Sequence, residues 1–211
     1  MSKESRDWLE KAARLDYIRP EDVPEIDLYM DQITTFMESQ LAVTKRTEED
    51  KIMTKTMINN YTKNKLLPPP IKKKYTKDHL YLLIFVYYFK SIMSIADIQK
   101  LLGPMTEYFF GNHTEEEGED GAFQTLDHIY KEIFDLEHDY YYEVKENIEK
   151  LQKRAEDTFP ELSGGEGDFL RKFSYITLLC YDIYVRKQMI ETMIDDMFGK
   201  PEQKKKEKKE K

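Results

Sequence analysis

Three consecutive prolines, Pro68-Pro69-Pro70, constrain this chain more than any other feature. A proline has no backbone N–H and a fixed φ, so no helix continues through the run and no central strand contains it. The preceding residues, TKTMINNYTKNKLL from Thr54 to Leu67, read as a short polar helix. Thr54 is a good N-cap for a helix over residues 54–64, with Met57 and Ile58 as its apolar anchors. Lys72, Lys73 and Lys74 follow the prolines, and residues 66–75 predict a short wing or extended turn. A capped, amide-rich helix, a rigid turn and a lysine cluster together suit a nucleic-acid reader. Amides can read base edges, and lysines hold phosphates. On that chemistry Lys55 and Asn59 face base edges, while Lys63, Lys65, Lys72, Lys73 and Lys74 face phosphates.

The stretch resembles the winged helix-turn-helix of MerR-type transcription regulators. Their recognition helix runs Ser/Thr-x-x-Thr-Ile/Leu-Arg-Tyr-Tyr-Glu-x-x-Gly-Leu-Leu-x-Pro. Thr54 falls on the capping position, Ile58 on the buried aliphatic, Tyr61 on the second tyrosine, Leu66-Leu67 on the paired leucines and Pro69 on the proline. Beyond the wing that family continues Tyr-Ser-x-x-x-Leu, a long apolar helix, then Ser-Leu-x-x-Ile-x-x-Leu-Leu. Tyr75-Thr76, Leu80, Ser94-Ile95, Ile98 and Leu101-Leu102 stand here in that order and spacing. The family arginine is Asn59 here, the first tyrosine Asn60, and the glycine before the leucines Lys65. The resemblance implies a DNA-binding set of Thr54, Lys55, Asn59, Asn60, Tyr61, Lys63, Lys65, Lys72, Lys73, Lys74 and Tyr75, and dimerisation through C-terminal helices. Over most of its length the chain is also similar to an uncharacterised bacterial domain-of-unknown-function family with a MerR-like module. The segments that carry this are IDLYMDQITTFMESQL, TKTMINNYTKNKLLPPPIKKKYTKDHL and SIADIQKLL. No established activity comes with that family.

Composition bounds the rest. The 211 residues are 40% hydrophobic and 35% charged with only 8 Gly, which favours helices over a turn-rich β fold. Cys180 is the only cysteine, so neither a disulfide framework nor a cysteine zinc site is available. The N-terminus shows no apolar core of a secretory signal, and the longest apolar run, Leu80 to Phe89, is about half of a membrane span. A cytoplasmic, non-membrane protein is expected. The formal net charge is −8, which taken alone argues against a nucleic-acid partner. Distribution decides more: between Lys51 and Leu80 there are eight lysines and one acid, Asp78, a local balance of +7. Acids concentrate elsewhere, notably over Glu115–Asp120.

The chain divides into an N-terminal extension (1–25, with a short helix over 5–18), the winged module (26–104), an acidic linker (105–121), a helical hairpin (122–199) and a lysine-rich tail (200–211) that predicts disorder. Within the module, residues 26–42 predict an amphipathic helix with Ile26, Tyr29, Met30, Ile33, Phe36, Met37 and Leu41 on one face. Residues 77–91 predict a mostly buried helix, and Ser94 caps another that Gly103-Pro104 ends. The hairpin carries two seams at alternating three- and four-residue steps. One is Phe123, Leu126, Tyr130, Ile133, Tyr140, Val144, Ile148 and Leu151. The other is Phe169, Phe173, Ile176, Cys180, Ile183, Ile190, Ile194 and Met197, interrupted by Lys187. Such seams predict coiled-coil packing of one helix on the other. Phe159-Pro160 and Ser163-Gly164-Gly165 make the turn, and Asp168 is available to cap the second helix. Phe134, Tyr141, Tyr175, Leu179 and Tyr184 then need another surface, such as a second subunit. The fold class is therefore all-α with a minor β wing: a MerR-like winged helix-turn-helix followed by a long helical hairpin.

Catalytic chemistry finds little footing. His128-x-x-x-Glu132 and Asp135-x-x-His138 have ligand spacing, but residues 166–198 contain no histidine to complete a diiron site. Cys180 falls on an apolar seam with no activating charge evident, which predicts a buried structural thiol. Gly164-Gly165-Glu166-Gly167 lacks the preceding strand of a phosphate loop. No catalytic residue, metal or cofactor is expected, and the residues do not specify an effector. Two functions remain: a DNA-binding regulator that takes double-stranded DNA as a homodimer, or a protein-interaction module that keeps the fold without DNA affinity.

Overall fold

A computed structural model describes residues 18–111 and 125–200. Its elements are β1 (Leu28–Tyr29), α1 (Met30–Leu41), α2 (Lys55–Lys63), β2 (Lys74–Tyr75), α3 (Lys77–Phe89), α4 (Ile95–Phe110), α5 (Leu126–Glu156) and α6 (Gly164–Phe198). Among the described residues the fold is thus mostly helical with one small antiparallel sheet. The expected opening helix up to Tyr17, most of the acidic linker, Phe123 and the tail from Pro201 lie outside the described residues.

The helix expected from residue 26 begins at Met30 instead. Leu28 and Tyr29 are extended and pair with Tyr75 and Lys74. Strand alternation sends Leu28 into the core and Tyr29 outward, and Ile26 is exposed as well. Tyr29 N–H donates to Gln32 Oε1 at 2.8 Å, which satisfies an otherwise orphaned donor at the start of α1. Ile33, Met37 and Leu41, one turn apart, form the buried stripe of that helix.

α3 is the centre of the molecule. His79 to Val86 are all buried, so this short apolar run is surrounded on every side. Ser94 Oγ caps α4 by accepting from Asp97 N–H at 3.2 Å. α4 does not end at Gly103-Pro104; it runs to Phe110 with Pro104 inside it. An internal proline removes one backbone bond and costs a free helix about 3 kcal/mol. Here Leu101, Met105, Phe109 and Phe110 lie beyond or beside it and pack against the core. Partial burial of these four large side chains offsets that penalty, since full burial is worth about 1.5–3 kcal/mol each.

The helical hairpin shares buried side chains with the helices before it. Leu126 and Tyr130 at the start of α5, and Ile194 near the end of α6, belong to the same core as α1–α4. Lys100 Nζ donates to the Gly199 carbonyl at 2.5 Å, which closes the far end of α6 onto α4. The two long helices run antiparallel, with Tyr175 Oη on the Ile148 carbonyl and Arg186 on the Tyr140 hydroxyl. The expected seam of α6 splits: Ile190 and Ile194 near its end pack into the core, but its first half does not turn inward. Phe169, Phe173, Ile176, Cys180 and Ile183 are exposed, and Cys180 is therefore not a buried thiol. The face turned inward carries Gly167, Ser174, Tyr175, Leu178 and Leu179. The turn selects that face. A Cβ at Gly167 would lie 2.7 Å from the Leu162 carbonyl oxygen, so only glycine lets the turn close there. α6 begins at Gly164 rather than near Asp168, whose carboxylate instead pairs with Arg171 at 2.9 Å.

Candidate nucleic-acid interface

α2 is built as its sequence demands. Thr54 Oγ1 accepts from Met57 N–H at 3.2 Å and caps the helix. Ile58 and Tyr61 anchor its inner face, and Asn59, Asn60 and Lys63 stand on the outer one. Its C-terminus closes with two reversed bonds: Leu66 N–H to the Tyr61 carbonyl at 2.8 Å and Lys65 N–H to the Thr62 carbonyl at 3.1 Å. This is a Schellman closure, and it puts Lys65 in the left-handed region at φ 57°. Leu66, Leu67 and Pro68 then turn into the core, while Pro69 re-emerges.

The wing is a two-residue hairpin turn. Ile71 and Lys74 exchange both backbone hydrogen bonds at 2.9 Å. The residues between them, Lys72 and Lys73, take φ of 50° and 68°. Two consecutive left-handed residues define a type I′ turn, for which Asn-Gly is the favoured pair. Here two exposed lysines occupy it. Lys74 sits on β2 opposite Tyr29, with its Nζ 5.4 Å from the centre of that ring.

The structure separates the sequence-predicted residues into two groups. Asn59, Asn60, Lys63, Lys65, Lys72 and Lys73 are exposed, and Lys74 is half-buried at the edge of the wing. Lys55 is exposed but forms an ion pair with Asp31 in the first turn of α1. Thr54 is occupied as a cap. Tyr61 and Tyr75 are buried, with only 7% and 2% of their surface accessible, so they hold α2 and the wing from beneath rather than reaching outward. Burial raises the pKa of both phenols.

Under the wing lies His79, fully buried. Its Nδ1 accepts from Thr76 N–H at 3.1 Å and caps α3, and its ring meets Tyr75 and Phe110 edge-on. Burial lowers its pKa, against a smaller upward pull from the Pro69 backbone and Asp27, and the cap requires the neutral ring. Two residues before it, Lys77 is bound by Asp127 at 2.5 Å and Glu25 at 2.6 Å. Burial disfavours the charge on Lys77, but these hydrogen bonds prevail and its pKa rises.

Sequence reasoning passed over two surface residues of the wing. Tyr29 is exposed across the sheet from Lys74, and Ile71 is exposed at the tip. Ile71 carried a signal: it is an isolated aliphatic between Pro70 and three lysines. Tyr29 carried a misleading one, since it falls in register with a helix that starts one residue later. Among the described residues no cluster of His, Cys, Asp and Glu could hold a metal ion, and no helix is long and apolar enough to cross a membrane.

No curated protein and no solved structure matches the chain. Residues 18–133 match the family described as a domain of unknown function, DUF1836. That span takes in both strands, α1 to α4 and the first two turns of α5, which together carry the interface and most of the core. Since the match covers more than half of the 211 residues and includes the whole of this basic module, the chain belongs to the DUF1836 family.

Proposed function

We propose that the protein is a DNA-binding transcription regulator of MerR-like type, with α2 reading duplex DNA and the lysine-rich wing holding its backbone. The observation that carries this reading is the backbone at Lys65, Lys72 and Lys73. A left-handed conformation costs an L-residue about 1–2 kcal/mol. Glycine or asparagine would relieve it at all three positions. Strain kept at exposed cations, beside the exposed amides of Asn59 and Asn60, is explained by a task for those side chains. Phosphate binding is the task their chemistry fits. In this reading the protein is not an enzyme, acts in the cytoplasm and takes double-stranded DNA as its partner.

The same reading makes it a homodimer through the C-terminal helices. The exposed seam Phe169, Phe173, Ile176, Cys180 and Ile183 has heptad spacing, and its own α5 packs on a different face of α6. A twofold dimer that presents two α2 faces about 34–36 Å apart meets successive major grooves. A second reading, an interaction module without DNA affinity, draws support from the Lys55–Asp31 pair and the net charge of −8.

Genome-wide mapping of binding sites for the tagged protein tests the choice. Enrichment at defined duplex sites is expected. Lys72→Ala/Lys73→Ala/Lys74→Ala should then weaken binding to every sequence and flatten the salt slope by about 3, near 0.9 per lost phosphate contact. Absence of enrichment, with no salt-dependent binding in solution, favours the interaction module.

A further inference from the structure

The tip of the wing presents an aliphatic side chain to the outside. Ile71 is 61% exposed, although it closes a tight turn where a polar residue would do the same backbone work. Lys72 and Lys73 follow it on the turn and Lys74 faces it across the bridge. Tyr29, 52% exposed, lies on the neighbouring strand beside Lys74. An apolar point ringed by cations complements a surface that is anionic at its rims and apolar within. The minor groove of a duplex is such a surface, with phosphates along both walls and stacked bases between them. A surface made only for phosphate contact would not need the isoleucine. A surface made to bury it in another protein would not need three lysines around it.

We infer that Ile71 is a minor-groove wedge. It enters beside the major groove read by α2, partly unstacks one base step and bends the duplex, while Lys72 and Lys73 hold the flanking phosphates. Tyr29 rests against the adjacent sugar–phosphate wall. Pro70 stiffens the chain directly before the wedge, and the paired backbone bonds of Ile71 with Lys74 keep its Cα in place. This inference rests on the DNA-binding reading above and adds how the duplex is deformed.

The test uses the full chain and a mixed-sequence duplex of about 30 base pairs with a donor and an acceptor dye at its ends. Wild-type protein should shorten the end-to-end distance, as expected for a bend of about 20–90°. Ile71→Ala, at an exposed position that leaves the core intact, should lose most of that shortening and keep the wild-type salt slope. Ile71→Met should restore the bend. Lys72→Ala/Lys73→Ala should instead lower the salt slope by about 2, near 0.9 for each phosphate. A straight duplex in the wild-type complex, or an Ile71→Ala complex as bent as wild type, overturns the wedge and leaves DNA binding standing. No salt-dependent binding by the wild-type chain overturns both.

Discussion

Tyr81 Oη donates a 2.5 Å hydrogen bond to Asp127 Oδ1, which ties the buried core helix α3 to the first turn of the hairpin helix α5. Lys77, one turn earlier on α3, binds the same carboxylate and reaches Glu25 on the other side. Beneath them the Tyr81 ring stacks on Tyr130 at 4.5 Å, and Tyr130 Oη donates to the Ile18 carbonyl at 2.5 Å. Burial and then the bond to Asp127 raise the pKa of Tyr81, whereas the bonds from Lys77 and Tyr81 lower that of Asp127. Lys77 stands only two residues beyond β2. The wing and the hairpin are therefore fastened to one another through a single charged cluster.

Removing the shared acceptor should be felt through the buried hydroxyl rather than through the half-exposed charge. Asp127→Ala leaves the Tyr81 O–H without its acceptor, with only Lys77 still on that oxygen, and a loss of about 1–3 kcal/mol is expected in urea unfolding. Tyr81→Phe in the same background should recover part of it, because the stranded polar group is then gone. A double-mutant cycle with no coupling between the two positions would contradict the clamp.

Lys65 offers a gain of stability. Lys65→Gly removes the left-handed penalty at φ 57° and should raise stability by about 1 kcal/mol, while Lys65→Val should lower it by more. Thermal midpoints of the three proteins decide this. In the wing, Lys72→Asn/Lys73→Gly should likewise raise the midpoint, yet weaken DNA binding. Stability and affinity moving in opposite directions is the signature of strain kept for function.

His79 sets an acid limit. An unfolded histidine titrates at 6.5, and burial lowers the folded value, so below 6.5 the unfolded chain binds the extra proton first. The contribution is complete above pH 6.5 and is lost as pH falls from 6.5 toward the lowered folded pKa. Urea midpoints measured at about pH 7.5 and about pH 5.5 should therefore drop at the lower pH. His79→Gln keeps an acceptor for the Thr76 N–H and should flatten this part of the profile. An unchanged pH profile in that variant places the acid sensitivity elsewhere.

On α6, two isoleucines of the same seam, one exposed and one buried, should respond differently to charge. Ile183→Asp, on the exposed seam, should leave the helical circular dichroism intact and shift sedimentation from dimer to monomer. Ile194→Asp, in the core at 3% exposure, should unfold the chain, since a buried unpaired charge costs several kcal/mol. A wild-type chain that sediments as a monomer at high concentration would remove the dimer.

Local chemistry was enough to read α2, the wing and α3 from the residues alone. Thr54 as a cap, three prolines as a stop and a run of ten apolar residues as a buried helix each depend on neighbours in sequence, where backbone sterics and capping bonds act. The basic surface was legible for the same reason, because charge is local. Tertiary contact decided what those rules leave open. Leu28 and Tyr29 could continue a helix, but pairing with Lys74 and Tyr75 draws them into a strand and reverses which of them faces out. Pro104 should end α4, but the core beyond it holds the helix together. Tyr61 and Tyr75 look like contact residues by position and are buried by packing. The heptad seam of α6 specifies that some helix should cover it, and periodicity cannot say which one. A glycine at 167 and the carbonyl of Leu162 turn the first half of that seam away from α5, because the face that meets a partner is set by how closely two backbones can approach.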